Sequence, residues 1–296
     1  AWGHGMGRQS SGTNADARAE DFINLDSYPL DGRDPRRYSD VLEGARVQLE
    51  DDGCCILRGF VRGEMIPLLA AEGDRVAKYA HRSFNRTNAY FSEDDPALPQ
   101  DGPRRRFYDR SNAFVPADHF GADSGLRAIY EFAPFQQFIR AALQAEHFYR
   151  YADPLADVII NMVEEGDGFP WHFDTNNFTV TLAIQNGEEG GVFEYAPNLR
   201  TAEDECFEAV GAVLDDRSDK VRALPLTPGD LQIFKGRYSL HRVTPVTGVR
   251  PRYVGIFSFV ETEGMVGSVE RTRQLYGRVL PIHHEQAGHR SDSLTD

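Results

Sequence analysis

Gly166-Asp167-Gly168-Phe169-Pro170-Trp171-His172-Phe173-Asp174 decides the fold of this chain. Its glycines and proline write a turn, and the aromatic run behind them reads as extended backbone. Side chains alternate along a strand, so His172 and Asp174 point the same way. His241 follows much later and has to arrive on a neighbouring strand. Two histidines and one carboxylate bind iron(II) on one face and leave the opposite positions open. The pair His172/Asp174 alone would be a weak signal, and its surroundings make it specific.

Working outward, the chain turns to β texture from residue 157. Residues 158–163, 178–184, 191–195, 221–226, 231–234 and 253–260 are short strand-like runs separated by Gly, Pro, Asn and Asp turns. That pattern predicts a β-sandwich or jelly roll with helices packed outside it. Upstream, residues 38–49 have helical spacing and stop at Asp51-Asp52-Gly53, and 54–60 read as a short buried strand. Residues 65–79 are helical by period, with Leu68, Leu69, Ala71 and Val76 as the inner face. A Pro- and charge-rich loop follows, then a long helix over 126–145 interrupted near Pro134. A closing helix is predicted from Arg271 onward. The expected organisation is a mobile tail (1–24), one mainly β domain with a helical preface (25–280, β core about 157–261) and a polar tail (281–296) that exposes His283, His284 and His289.

Across 296 residues with 41% hydrophobic content, no run reaches the roughly 18 apolar residues that span a bilayer. The net charge of −14 argues against nucleic acid or an anionic membrane as partner. Cys54, Cys55 and Cys206 form no pairing framework and read as reduced thiols. With no leader-like start, the expectation is a cytoplasmic protein. Arg104-Arg105-Arg106 is either a solvated loop or a grip on an anionic group. The similar segments 86–90 and 110–114 are either coincident turns or a lid presenting Asn88, Arg110 and Asn112 to a small polar ligand.

Further motifs keep a fixed order after the turn: Glu189-Gly190-Gly191-Val192-Phe193-Glu194, Thr227-Pro228-Gly229-Asp230-Leu231, His241-Arg242-Val243-Thr244-Pro245 and Arg250-Pro251-Arg252-Tyr253. This set resembles the Fe(II)/2-oxoglutarate-dependent dioxygenases over about residues 157–261. The resemblance implies a double-stranded β-helix (jelly roll, cupin-like) with iron on His172, Asp174 and His241, and with 2-oxoglutarate and O2 as cosubstrates. The distal carboxylate of 2-oxoglutarate then needs a buried cation, best an arginine with its two-pronged donor. Arg252 opens an apolar strand, whereas Arg250 precedes Pro251 and faces solvent, so Arg252 is the choice. Asn161 either hydrogen-bonds the cosubstrate or is a ladder residue with a water partner.

Within that superfamily the chain looks most like the free amino-acid halogenases and related hydroxylases. Chlorinating members carry a small residue, usually Gly, where this chain has Asp174, so the departure implies hydroxylation of an unactivated C–H bond, with release of succinate and CO2. The substrate implied is a free amino acid or similar small metabolite, with Thr175, Asn176, Asn177, Ser258, Asn112 and Arg110 as candidate contacts. Two alternatives stay open: a protein or peptide hydroxylase, which needs an open groove, and a non-catalytic cupin-like metal-binding protein, which has no reason to bury Arg252.

Overall fold

A computed structural model describes residues 16–286. Its largest sheet has seven antiparallel strands in the order Cys54–Leu57, Leu231–Phe234, Thr179–Gln185, Arg252–Phe257, Val158–Val163, Tyr108–Val115 and His81–Thr87. Alternation along these strands sorts two faces. Val158, Ile160, Val180, Leu182, Ile184, Leu231, Ile233 and Phe257 join one core with Leu49, Leu69, Leu126, Phe135 and Phe138 from the helices Pro35–Asp52, Ile66–Val76, Gly125–Glu131 and Ala133–Leu143. Each such side chain contributes about 1.5–3 kcal/mol by leaving water. The intervening positions, Asn161, Thr179, Thr181, Gln232 and Arg252, lie on the opposite, inner face.

A second sheet orders Arg222–Leu224, Phe193–Ala196, Leu240–Val243 and Phe169–His172. The sheets meet through aromatic side chains, with Phe193 edge-on to Phe234 at 5.1 Å and Tyr195 edge-on to the same ring at 5.8 Å. The adjacent thiols Cys54 and Cys55 divide between the two cores, and both are free and buried. Burial pushes each thiol up to about 12, so neither is a thiolate at neutral pH.

Several expectations need correction. The segment 16–24 is not a free tail: Ala19–Phe22 is helical, and Ala19, Phe22 and Ile23 are buried in the main core, while residues 1–15 lie outside the described residues. Leu68 is 54% exposed and Ala71 is also exposed; the buried face of the Ile66–Val76 helix is Leu69, Glu72, Gly73 and Val76. Glu72 is inside because it accepts hydrogen bonds from Ser124 and Gly125 N. The Pro- and charge-rich loop is flanked by paired strands, His81–Thr87 and Tyr108–Val115.

Near the C-terminus, His283 is 2% exposed and its Nε2 donates to Asp153 Oδ2 at 2.8 Å. Residues 287–296, including His289, lie outside the described residues. No helix among the described residues is long and apolar enough to cross a membrane.

Candidate metal centre and its pocket

His172 and His241 are direct cross-strand partners on adjacent antiparallel strands, their rings 4.2 Å apart. Beyond the strand end the backbone stays pinned, because Phe173 N donates to Ala89 O and Asp174 N to Gly236 O. Trp171 and Phe173 therefore enter an apolar cluster with Tyr90, Ala196 and Leu240, and His172 and Asp174 face the interior. One ligand atom from each of His172, Asp174 and His241 lies within 4.8 Å of the others.

Hydrogen bonds fix the tautomers. His172 Nδ1 donates to Pro170 O and His241 Nδ1 to Ser239 O, each at 2.8 Å. Each Nε2 then carries a lone pair, and both face Asp174 Oδ1, at 3.0 Å from His241 and 3.5 Å from His172. Three electron-pair donors pointing at one spot are reconciled by a cation, and two imidazoles with one carboxylate suit iron(II). Burial, and His241 beside it, push His172 down to about 4, which keeps the imidazole neutral and available to a metal. Burial pushes the Asp174 carboxyl up, but positive charge on the facing imidazole nitrogens outweighs it and holds the carboxyl well below the usual carboxylate range, and a metal ion would supply that positive charge in place of a proton.

The carboxylate is held from behind. Thr179 Oγ1 donates to Asp174 Oδ2 at 2.8 Å, leaving Oδ1 for the metal. A Cβ on residue 236 would collide with that carboxylate, so Gly236 is what lets Asp174 sit here. The turn delivering His172 is clamped by the hairpin: Arg82 and Ser111 both donate to Asp167, which also accepts from Glu164 N. Gly168 backs onto Val243 O, where a Cβ would come within 2.9 Å.

A pocket of about 380 Å³ opens beside the triad, lined by Phe91, Arg110, Phe169, Thr175, Asn176, Ser258 and Arg271 among others. Of the candidate contacts, Arg110, Thr175, Asn176 and Ser258 line it, and Asn112 lines a smaller cavity of about 210 Å³ that shares Arg110. Asn177 lies elsewhere, its Nδ2 donating to Glu261 and its side chain lining a different cavity. Asn88 is buried and structural, its Oδ1 accepting from Tyr90 N and Ser92 N. That loop holds Phe91 at φ 56°, a strained conformation for a bulky residue, and puts its ring 5.6 Å from His172. The Arg104-Arg105-Arg106 run is absorbed by structure: Arg104 lies over Phe207, Arg105 pairs with Asp94 and Arg106 with Asp215.

Arg252 is 8% exposed and makes no ion pair or side-chain hydrogen bond among the described residues, whereas Arg250 is exposed and donates to Asn186 O and Gly187 O. Burial pushes the Arg252 guanidinium down to about 10, still a cation at neutral pH. Asn161 sits opposite Val254 on the neighbouring strand, and its Nδ2 donates to Ala113 O at 3.2 Å. Sequence reasoning missed Phe91, Gly236 and Arg271. Only Arg271 lay within a predicted element, and nothing in its charge distinguished it from a surface arginine.

The family model Halogenase D matches residues 38–276. No curated protein matches the chain. Among solved structures, the non-haem alpha-ketoglutarate-dependent epimerase SnoN from nogalamycin biosynthesis is 15% identical, with a TM-score of 0.53 over 77% of this chain and 84% of that one. AviO1 from Streptomyces viridochromogenes Tue57 is 15% identical, with a TM-score of 0.50 over 75% and 95%. At these identities the likeness is one of fold, a mixed α/β architecture shared with 2-oxoglutarate oxygenases.

Proposed function

The chain belongs to the Halogenase D family, and from that premise we propose that it hydroxylates an unactivated C–H bond of a free amino acid or similarly small metabolite. It is an iron- and 2-oxoglutarate-dependent oxygenase, with His172, Asp174 and His241 as the metal triad and O2 as the second cosubstrate. When bound, iron and 2-oxoglutarate supply the oxidising chemistry, and succinate and CO2 are the coproducts; the protein binds, orients and excludes competing reactions. We read the two sheets as the halves of a double-stranded β-helix.

The observation that carries the substrate reading is the pocket at the triad. Its volume of about 380 Å³ is near the lower end of ligand sites, and its wall mixes aromatic rings with Arg110, Thr175, Asn176 and Ser258. Such a lining suits one small zwitterion. A peptide reading has one feature in its favour, an open groove of about 770 Å³ lined by Phe84, Phe169, Arg242 and Pro245 that also reaches Arg110. Anaerobically purified protein given Fe(II), 2-oxoglutarate, O2 and a panel of free amino acids and short peptides separates them. Succinate and a product heavier by one oxygen are expected with a free amino acid; turnover with peptides alone would transfer the assignment to the groove.

Arg252 serves, in this reading, as the partner of the 2-oxoglutarate distal carboxylate. A buried cation without a counter-charge is a standing cost that an anionic ligand removes. Arg252→Ala is expected to lose about 2–5 kcal/mol of cosubstrate binding, well over tenfold in the dissociation constant for 2-oxoglutarate. Arg250→Ala should change it little, since that side chain contacts only surface carbonyls. The reverse ranking would show that the wrong arginine was chosen.

A further inference from the structure

Most of the protein's partly buried arginines have acidic partners: Arg82 with Asp167 and Glu164, Arg127 with Asp157, Arg242 with Glu194. Two beside the metal triad do not. Arg110 projects from the Tyr108–Val115 strand and Arg271 from the helix Val269–Tyr276, and both line the pocket that holds His172 and Asp174. Their guanidinium carbons lie 4.7 and 5.1 Å from the centre of the same ring, Phe91. Among the described residues neither guanidinium makes an ion pair or a hydrogen bond to a protein acceptor. The carboxylate whose field reaches both is Asp174, which is committed to the metal. Burial, and then repulsion from Arg271, push Arg110 down to about 9.

Of the two carboxylates that line the pocket, Asp174 is committed to the metal and Asp153 accepts from His283, Gly267 N and Leu155 N, so neither pairs with the two guanidinium groups. A neutral amino acid brings one carboxylate and leaves one cation unmatched. Beside the arginines, Asn112 is 1% exposed, lines the smaller adjoining cavity, and its Oδ1 has no hydrogen-bond partner, so it can accept from an ammonium group. Glu270 lines the same cavity and adds a negative charge on that side.

Resting on the free amino-acid reading above, we propose that Arg110 and Arg271 together select an acidic amino acid, one that carries a second carboxylate or a phosphate on its side chain. One guanidinium takes the α-carboxylate and the other the side-chain anion, and the Asn112 amide oxygen takes the α-ammonium. Asp174 is left to the metal, and Phe91 holds the two cations at a fixed separation through cation–π contact with each.

The test compares acids with their uncharged counterparts. Fe(II)- and 2-oxoglutarate-loaded protein is assayed with L-aspartate, L-glutamate, L-2-aminoadipate and O-phospho-L-serine, against L-asparagine, L-glutamine, L-serine, L-leucine and L-lysine. Product formation is followed in air and thermal stabilisation is followed anaerobically. At least one acid is expected to exceed its uncharged counterpart about tenfold or more in kcat/KM, and to raise Tm where the counterpart does not. The phosphoserine arm separates phosphate from carboxylate. Arg271→Gln should collapse that discrimination while the dissociation constant for 2-oxoglutarate stays at its wild-type value, and Arg271→Lys should retain part of it. Equal or better turnover of neutral or basic amino acids overturns this inference and leaves the hydroxylase reading standing. Turnover of peptides alone overturns both. Absence of any acid-dependent change in turnover or Tm overturns the inference, as does loss of 2-oxoglutarate binding in Arg271→Gln, which would make Arg271 a cosubstrate residue.

Discussion

His241→Ala, and separately His172→Ala, are expected to reduce iron-dependent succinate formation to background. Loss of groups that merely orient a metal ligand typically costs 10–100-fold in affinity or activity. Removing a ligand itself should exceed about 100-fold. The expectation rests on how completely the fold aims these rings: each Nδ1 is occupied by a backbone carbonyl, so each Nε2 is turned toward Asp174 Oδ1 and the position a metal would take between them. His241 is also wedged between Phe234 and Phe193, at 4.7 and 5.8 Å, and has no room to be replaced by a rotated neighbour. Thermal unfolding provides an activity-independent reading. Fe(II) at about 100 times its dissociation constant stabilises a folded protein by about 2.7 kcal/mol, and that increment should appear in wild type and vanish in both variants. Full activity in both variants would remove the triad.

The strands were legible where one face meets the helices. Residues 158–163 and 231–234 coincide with the observed strands Val158–Val163 and Leu231–Phe234, because every position in them is buried and bounded by turn residues. The His81–Thr87 strand left no such trace. Phe84 on its outer side is 75% exposed, and Ser83, Asn85 and Thr87 line the small cavity next to Arg110. A strand that looks onto solvent on one side and a polar cavity on the other has no hydrophobic period to detect. His283 was misjudged for a different reason: its polar surroundings in sequence say exposure, and its burial depends on Asp153, which is distant along the chain. The helix Ile66–Val76 hides a glutamate and a glycine on its inner face, so hydrophobicity selected Leu68 and Ala71 instead. The metal ligands were readable because alternation and cross-strand pairing follow from backbone geometry alone. Arg271 was not, since an arginine on an amphipathic helix acquires meaning only from what stands opposite.

Asp174→Gly is expected to lose most hydroxylation and to gain little or no chlorination. The family name raises the opposite outcome, and Asp174 is the residue on which our proposal of hydroxylation in wild type rests. Asp174 fills an iron position with an anion, is anchored by Thr179 through Oδ2, and is fitted against Gly236. Deleting the side chain opens that position and removes a negative charge, both of which a chloride ion can restore. Three things stay unchanged and oppose transfer of the halogen. Thr179 Oγ1 is placed to donate to Oδ2, the carboxylate oxygen other than the one that faces the two imidazoles, so its hydroxyl is set to hold a carboxylate. The backbone of residue 174 remains tied to Gly236 O. The pocket wall of Arg110, Asn176 and Ser258 is untouched by the substitution, so in the proposed reading the substrate keeps its placement, and positioning at the level of about an ångström changes rates by as much as 100-fold. The measurement is mass spectrometry of products from wild type and variant in chloride-rich and chloride-free buffer. Chlorinated product from wild type, recognised by its isotope pattern, would overturn the hydroxylase assignment. Undiminished hydroxylation by the glycine variant would take Asp174 out of the metal site. Efficient chlorination by the variant would show that the pocket already places its substrate for either outcome, with the carboxylate as the sole determinant.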